Sequence, residues 1–144
     1  MNCCTNRNYQ KSAQTAYNAA FQPYAAAGTQ VNILGTQVTD TGCSIRATAG
    51  GFTFRNSGLY RISYDVTSVP TGIGTQVLQL YRDQTPMPCA VSSETTTAGD
   101  TLTQHVETIV AVQTCCAVNP AISARISGVA GTVRHVCASA VKLA

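Results

Sequence analysis

Residues 51 to 69 read GFTFRNSGLYRISYDVTSV. Two short alternating runs, Phe52-Thr53-Phe54 and residues 59–69, flank a turn at Asn56-Ser57-Gly58. Tyr60, Ile62, Tyr64 and Val66 fall on one face of the second run, and Arg61, Ser63 and Asp65 on the other. Successive side chains of an extended backbone point to opposite sides, so this alternation of β-branched and aromatic residues with polar ones marks a half-buried strand.

The rest of the chain carries the same signature at short, regular intervals. Strands are expected at residues 30–34, 37–39, 45–47, 75–82, 87–91, 102–112, 122–126 and 133–143, separated by turn residues such as Pro70-Thr71-Gly72 and Gly128-Val129-Ala130-Gly131. Pro88 suits an edge position, because proline cannot donate to a ladder. Residues 92–100, rich in Ser, Thr and Gly, read as a loop, and Asp83 to Pro86 and Asn119-Pro120 as turns. Residues 13–27 are ambiguous, since their alanines favour helix and Pro23 interrupts one. The sum is an all-β chain of about eight to ten antiparallel strands, the spacing of a β-sandwich or barrel.

The 144 residues are expected to form one head domain over residues 13–144, preceded by a polar, aperiodic arm over residues 1–12. Charged residues make up 10% of the chain, against roughly 25% in ordinary soluble proteins. Such a surface is expected to be covered in the working state, or to be polar without charge through Ser, Thr and Gln. The net charge is +3, and the arginines are scattered rather than clustered, so nucleic-acid binding is not expected. No apolar run reaches membrane-spanning length, and the N-terminus lacks the apolar centre of a signal peptide. Synthesis in a reducing cytoplasm is the matching expectation.

Seven cysteines are present. Cys3-Cys4 and Cys115-Cys116 are adjacent pairs, while Cys43, Cys89 and Cys137 stand alone. No Cys/His spacing suits zinc, so neither metal nor cofactor is expected. Cys43, Cys89 and Cys137 are expected to be buried thiols acting as small apolar groups. His105 and Glu107 share a strand face, as do His135 and Cys137; either pair could do acid–base or thiol chemistry. Polar faces and core positions of sandwich strands account for them more simply, and no phosphate loop or nucleophile elbow accompanies them. Asp40, Asp83 and Asp100 read as turn residues.

Three blocks in this order carry a resemblance. They are Phe52, Phe54, Gly58, Tyr60 and Tyr64; then Val77-Leu78-Gln79-Leu80-Tyr81-Arg82-Asp83; then Ala98-Gly99-Asp100 ahead of the long run at 102–112. Together with the closing strand they resemble the jelly-roll heads of the tumour-necrosis-factor and complement-globular-head superfamily, in the compact version of phage virion and spore-surface proteins. The resemblance spans about residues 16–143 and implies a homotrimer with a jelly-roll sandwich and no enzymatic activity. It implies an edge strand at residues 16–21. It also implies a structural role: decorating or projecting from a phage capsid on the virion surface. The arm residues Arg7, Tyr9 and Lys11 would then hold a major capsid protein or another virion component, and a host-surface glycan is a further candidate partner. A bacterial spore-surface or cell-surface head binding carbohydrate or protein is the alternative. In a trimer of this kind, Tyr60, Tyr64 and Val66 would form a rigid patch near the three-fold axis; the other reading is that they fill their own sandwich.

Overall fold

The computed structural model of the protein describes residues 11–113 and 120–144. Within these it is all strand and loop: β1 (Ala13–Asn18), β2 (Gln22–Tyr24), β3 (Thr29–Gln30), β4 (Thr36–Thr41), β5 (Ile45–Thr48), β6 (Gly51–Phe54), β7 (Gly58–Pro70), β8 (Gly74–Arg82), β9 (Thr85–Thr96), β10 (Leu102–Val112), β11 (Ala121–Ser127) and β12 (Gly131–Lys142). One sheet runs β10-β7-β12-β1-β4, with β2 also on β12. The other runs β5-β6-β11-β8-β9, with β3 also on β11. The pairings are antiparallel. The last strand lies between the first and the seventh, so distant parts of the chain alternate within a sheet, as in a jelly roll.

The stretch quoted above joins the two sheets. Phe52 and Phe54 stand on β6, and Tyr60 and Tyr64 on β7; all four are fully buried. Phe52 meets Tyr64 edge-on with centroids 6.1 Å apart, and Phe54 meets Tyr60 at 4.5 Å. Both separations lie in the favourable range for aromatic pairs. Ile62, Leu78, Leu80, Ile122 and Ile126 complete the apolar layer. Tyr60 donates its hydroxyl to the Asn56 carbonyl at 2.6 Å, tying the strand to its own entry turn.

Toward the β2 end the sandwich is held by polar groups instead. Gln76 and Gln104 are almost wholly buried. Gln76 Nε2 donates to Ser68 Oγ at 2.8 Å and to Gln104 Oε1 at 3.0 Å. Gln104 Nε2 donates to the carbonyls of Gln76 and Ser92, and Tyr24 donates to Gln76 Oε1. Strands β2, β7 and β10 of one sheet are thus bonded to β8 and β9 of the other. Gly131 makes room for this, since a Cβ there would lie 2.5 Å from Tyr24 Oη.

Several expectations change. Strand β1 is interior, between β12 and β4, rather than an edge over residues 16–21. Its alanine-rich sequence is drawn into a strand by pairing on both sides, and its buried Gln14 and Asn18 bond to Asp40 and to the Asn32 carbonyl. Residues 31–34 are not strand, although Val31 and Ile33 are buried. Residues 92–96 belong to β9 rather than to a loop, and β9 is the sheet edge that Pro88 suggested. Asp40 sits within β4, not in a turn.

The two core tyrosines differ in one respect: the Tyr64 hydroxyl is buried with no hydrogen-bond partner. Its ionisation is accordingly pushed far up by burial. Tyr64→Phe is expected to leave stability unchanged or raise it by about 1 kcal/mol, and Tyr60→Phe to lower it by about 1 kcal/mol, because only the latter removes a formed bond. Chemical denaturation of both variants is the check; equal losses would contradict the assignment.

Candidate interaction surface on the first sheet

Because Tyr60, Ile62, Tyr64 and Val66 all point inward, the period of two turns Leu59, Arg61, Ser63 and Asp65 outward. This corrects the placement of Tyr60, Tyr64 and Val66 at a three-fold axis. They are 0%, 0% and 1% exposed in the single chain, sealed between its own sheets, and have no surface to offer another subunit. Of the three expected attachment residues, Lys11 is exposed just ahead of β1. Arg7 and Tyr9 lie outside the described residues, as do Cys3, Cys4, Cys115, Cys116 and the turn at Asn119.

Strand register assembles the outer face in rows. Tyr17 on β1 is opposite Cys137 on β12, Cys137 is opposite Asp65 on β7, and Asp65 is opposite His105 on β10. In the adjoining row Ser139 meets Ser63 through a 2.7 Å hydroxyl contact, and Ser63 is opposite Glu107. Beyond them Val141 is opposite Arg61 and Arg61 opposite Ile109. An ion-pair chain crosses the rows: Asp65 Oδ1 to His105 Nδ1 at 2.8 Å, His105 Nε2 to Glu107 Oε2 at 3.6 Å, and Glu107 Oε1 to Arg61 Nε at 3.4 Å. Two carboxylates face one arginine and one imidazole, so the group is neutral when His105 is protonated and carries one negative charge when it is not. Around them stand small hydroxyl side chains and two exposed aliphatics, Leu59 at 43% and Ile109 at 59% exposure.

The hydrogen bond that the imidazole donates to Asp65 is the main cause of a raised His105 ionisation, with Glu107 adding to it and partial burial opposing it. His105 and Glu107 do share a face, as the sequence suggested, but they belong to this chain of ion pairs. Burial, then the Asp65 charge, pushes the Cys137 thiol up. A reactive thiolate needs a neighbouring cation, and what stands beside Cys137 is a carboxylate. His135 instead packs against the Tyr17 ring at 6.1 Å, with its Nδ1 buried and unpartnered.

The expectation of three buried thiols is also corrected. Cys89 and Cys137 are free and exposed, because outward positions on β9 and β12 carry them. Cys43 is buried, as expected, but disulfide-bonded. The sequence could have signalled Cys137, which follows Val136 in an alternating strand and so takes the opposite face.

No family model matches the chain, and no curated protein sequence does. Its fold, however, matches solved structures along nearly its whole length. The PRD1 vertex protein P5 aligns over 95% of this chain and 100% of its own with a TM-score of 0.71 and 16% identity. Murine APRIL, at pH 5.0, aligns over 93% and 100% with a TM-score of 0.68 and 13% identity. The globular domain of zebrafish complement 1qA protein aligns over 92% and 96% with a TM-score of 0.59 and 11% identity. The chain has the jelly-roll fold of the tumour-necrosis-factor and complement globular heads. At these identities the likeness is one of fold, and fold alone does not carry function.

The His105–Asp65 pair sets a pH dependence. A histidine whose ionisation is raised on folding adds stability below its unfolded value of 6.5 and loses it as pH climbs through the folded value. The pair is about half exposed, so its contribution stays below about 1 kcal/mol. The His105 imidazole is expected to titrate above 6.5 by NMR, and Asp65→Asn to bring it back down. Titration at or below that value in the native sequence would mean that the pair does not form.

Proposed function

We propose that this chain is a non-enzymatic structural and attachment protein of a phage virion: a homotrimer standing on the particle surface. The observation that most supports this reading is the likeness in fold to the PRD1 vertex protein P5, whose TM-score of 0.71 exceeds the 0.68 of murine APRIL. The low charge supports it, since 10% charged residues suit a surface partly covered by its own copies.

The outer face of the first sheet is the proposed subunit interface. It is broad, its charges are already paired within the chain, and Ile109 and Leu59 are available for burial. Pairing within the chain lowers the desolvation cost of closing such a face. The arm, through Arg7, Tyr9 and Lys11, would fix the trimer to a major capsid protein or another virion component. Three weak arm contacts on one rigid body act together, so attachment is much stronger than any one of them. The free Cys89 thiol and the Cys43 disulfide favour a second reading, a bacterial spore-surface or cell-surface head cross-linked to its neighbours. Intermolecular disulfides in native material would distinguish it.

Light scattering in reducing buffer is expected to give three times the 15.1 kDa chain mass. With the reductant removed, Cys137 should alkylate much more slowly in the trimer than in dissociated chains while Cys89 reacts alike in both, as mapped by mass spectrometry, because only Cys137 lies on the proposed interface. A monomer, or a trimer in which Cys137 reacts as fast as in dissociated chains, would overturn this assembly. Replacing Arg7, Tyr9 and Lys11 together by alanine should preserve the trimer and abolish its binding to undecorated capsids; unchanged binding would remove the arm from the mechanism.

A further inference from the structure

The second sheet has a feature on its outer face that the assembly does not use. Strands β3 and β6 both pair with β11 along the same side, β6 at Ala121 and Ile122 and β3 at Arg125 and Ile126. Where these two short strands fail to meet, a depression of about 160 Å³ opens beside Ser123. The turn between β5 and β6 bounds it with Thr48, Gly50 and Gly51, and the turn between β8 and β9 with Asp83 and Gln84. Glycine keeps it open: a Cβ on Gly51 would fall 1.9 Å from the Ile122 carbonyl oxygen, and one on Gly50 would crowd the Gln30 amide at 2.8 Å.

The second turn is built against its own conformational preference. Arg82 pairs with Thr85, so Asp83 and Gln84 are the whole loop, and their φ angles of 48° and 72° are both left-handed. Such two-residue hairpin loops favour Asn-Gly or Asp-Gly, because glycine alone takes the second position without strain. Here the second position keeps a full side chain. Gln84 Oε1 accepts from Arg125 Nη2 at 2.7 Å, and the Arg125 guanidinium in turn lies 5.0 Å over the Tyr81 ring. Asp83 is anchored by accepting from the Ala121 amide at 2.9 Å. A glutamine held at a glycine position by a braced arginine is a side chain with a use.

The lining selects a ligand class. Its polar side chains are two amides (Gln30 and Gln84), two hydroxyls (Thr48 and Ser123) and one carboxylate (Asp83), set beside the apolar surface of Gly50, Gly51 and Ala121. Thr48, Asp83 and Gln84 already bond within the chain, so an apolar ligand would cover the Gln30 amide and the Ser123 hydroxyl without pairing them. The Asp83 carboxylate repels anions, and the neighbouring Arg125 repels cations. What remains is a neutral molecule dense in groups that both donate and accept.

We propose that this depression, framed by Gln30, Thr48, Asp83, Gln84 and Ser123, is a binding site for a neutral saccharide unit. It lies on the sheet opposite the proposed subunit interface, so it does not rest on that reading and stays open in monomer or trimer. In a trimer three copies would face outward, and weak single-site binding would be multiplied by avidity.

The test is NMR titration of the full-length protein with lactose, maltose and chitotriose at millimolar concentration, with sulfate and calcium as ion controls. At least one saccharide should shift the amides of Thr48, Gln84 and Ser123 saturably, and neither ion should. The double variant Asp83→Asn with Gln84→Gly creates the favoured loop sequence. It should melt at the same temperature or higher, yet lose at least about tenfold in affinity for that saccharide. No saccharide shifting these amides, an ion shifting them instead, or a double variant binding as well as the native chain would each overturn the proposal.

Discussion

The contact between Phe52 and Phe54 on one sheet and Tyr60 and Tyr64 on the other is the constraint from which the rest of the architecture follows. It joins two strands that are neighbours in sequence but members of different sheets, so the chain changes layer within a few residues at the Asn56-Ser57-Gly58 turn. Once the tyrosines face inward, strand alternation leaves no freedom on the other side: Arg61, Ser63 and Asp65 must face out. A slip of one residue would bury Arg61 and Asp65 and expose both tyrosines, at a cost far larger than the stability of a small domain.

The opposite end of the sandwich is closed by different chemistry. A chain with 6% aromatic residues and no tryptophan has few large apolar groups to spend on a second layer of ring contacts. Gln76, Gln104, Ser68, Ser92 and Tyr24 fill that volume with a hydrogen-bonded network that crosses between sheets. Dispersion contacts tolerate small shifts, but hydrogen bonds lose strength quickly with distance and angle. The polar end therefore sets the registration of the two sheets more sharply than the aromatic end does, and a partly satisfied network there would be worse than none.

The two outer faces divide the surface by chemistry. The first sheet presents hydroxyls, aliphatics and a chain of paired charges from Asp65 to Arg61. That is a face that can be covered at modest cost. The second presents a polar depression framed by two turns, one of them holding a glutamine in a left-handed conformation. A jelly roll supports such a division because its sheets are built from interleaved parts of the chain. Each face can then vary without disturbing the core that joins them.

Much of the strand pattern was legible from local sequence. Strand β10 was readable from end to end, because alternation of Gln104, Val106, Val110 and Val112 needs no knowledge of its neighbours. The edge character of β9 was readable from Pro88. The alanine-rich start is ambiguous in sequence, and the edge position that the resemblance implied for it gives way to an interior one, because its conformation is imposed by β12 and β4. The polar stretch at 92–96 was misread as loop, because pairing with β8 satisfies backbone groups that the side chains do not advertise. The surface rows were out of reach altogether. That Cys137 lies beside Asp65, and Asp65 beside His105, depends on which strands become neighbours and in what register. The pocket likewise exists because β3 and β6 stop short of each other along β11. Alternation along one strand is a local property and is written in the chain. Adjacency between strands is a property of the closed sandwich, since only long-range packing brings distant residues to one place.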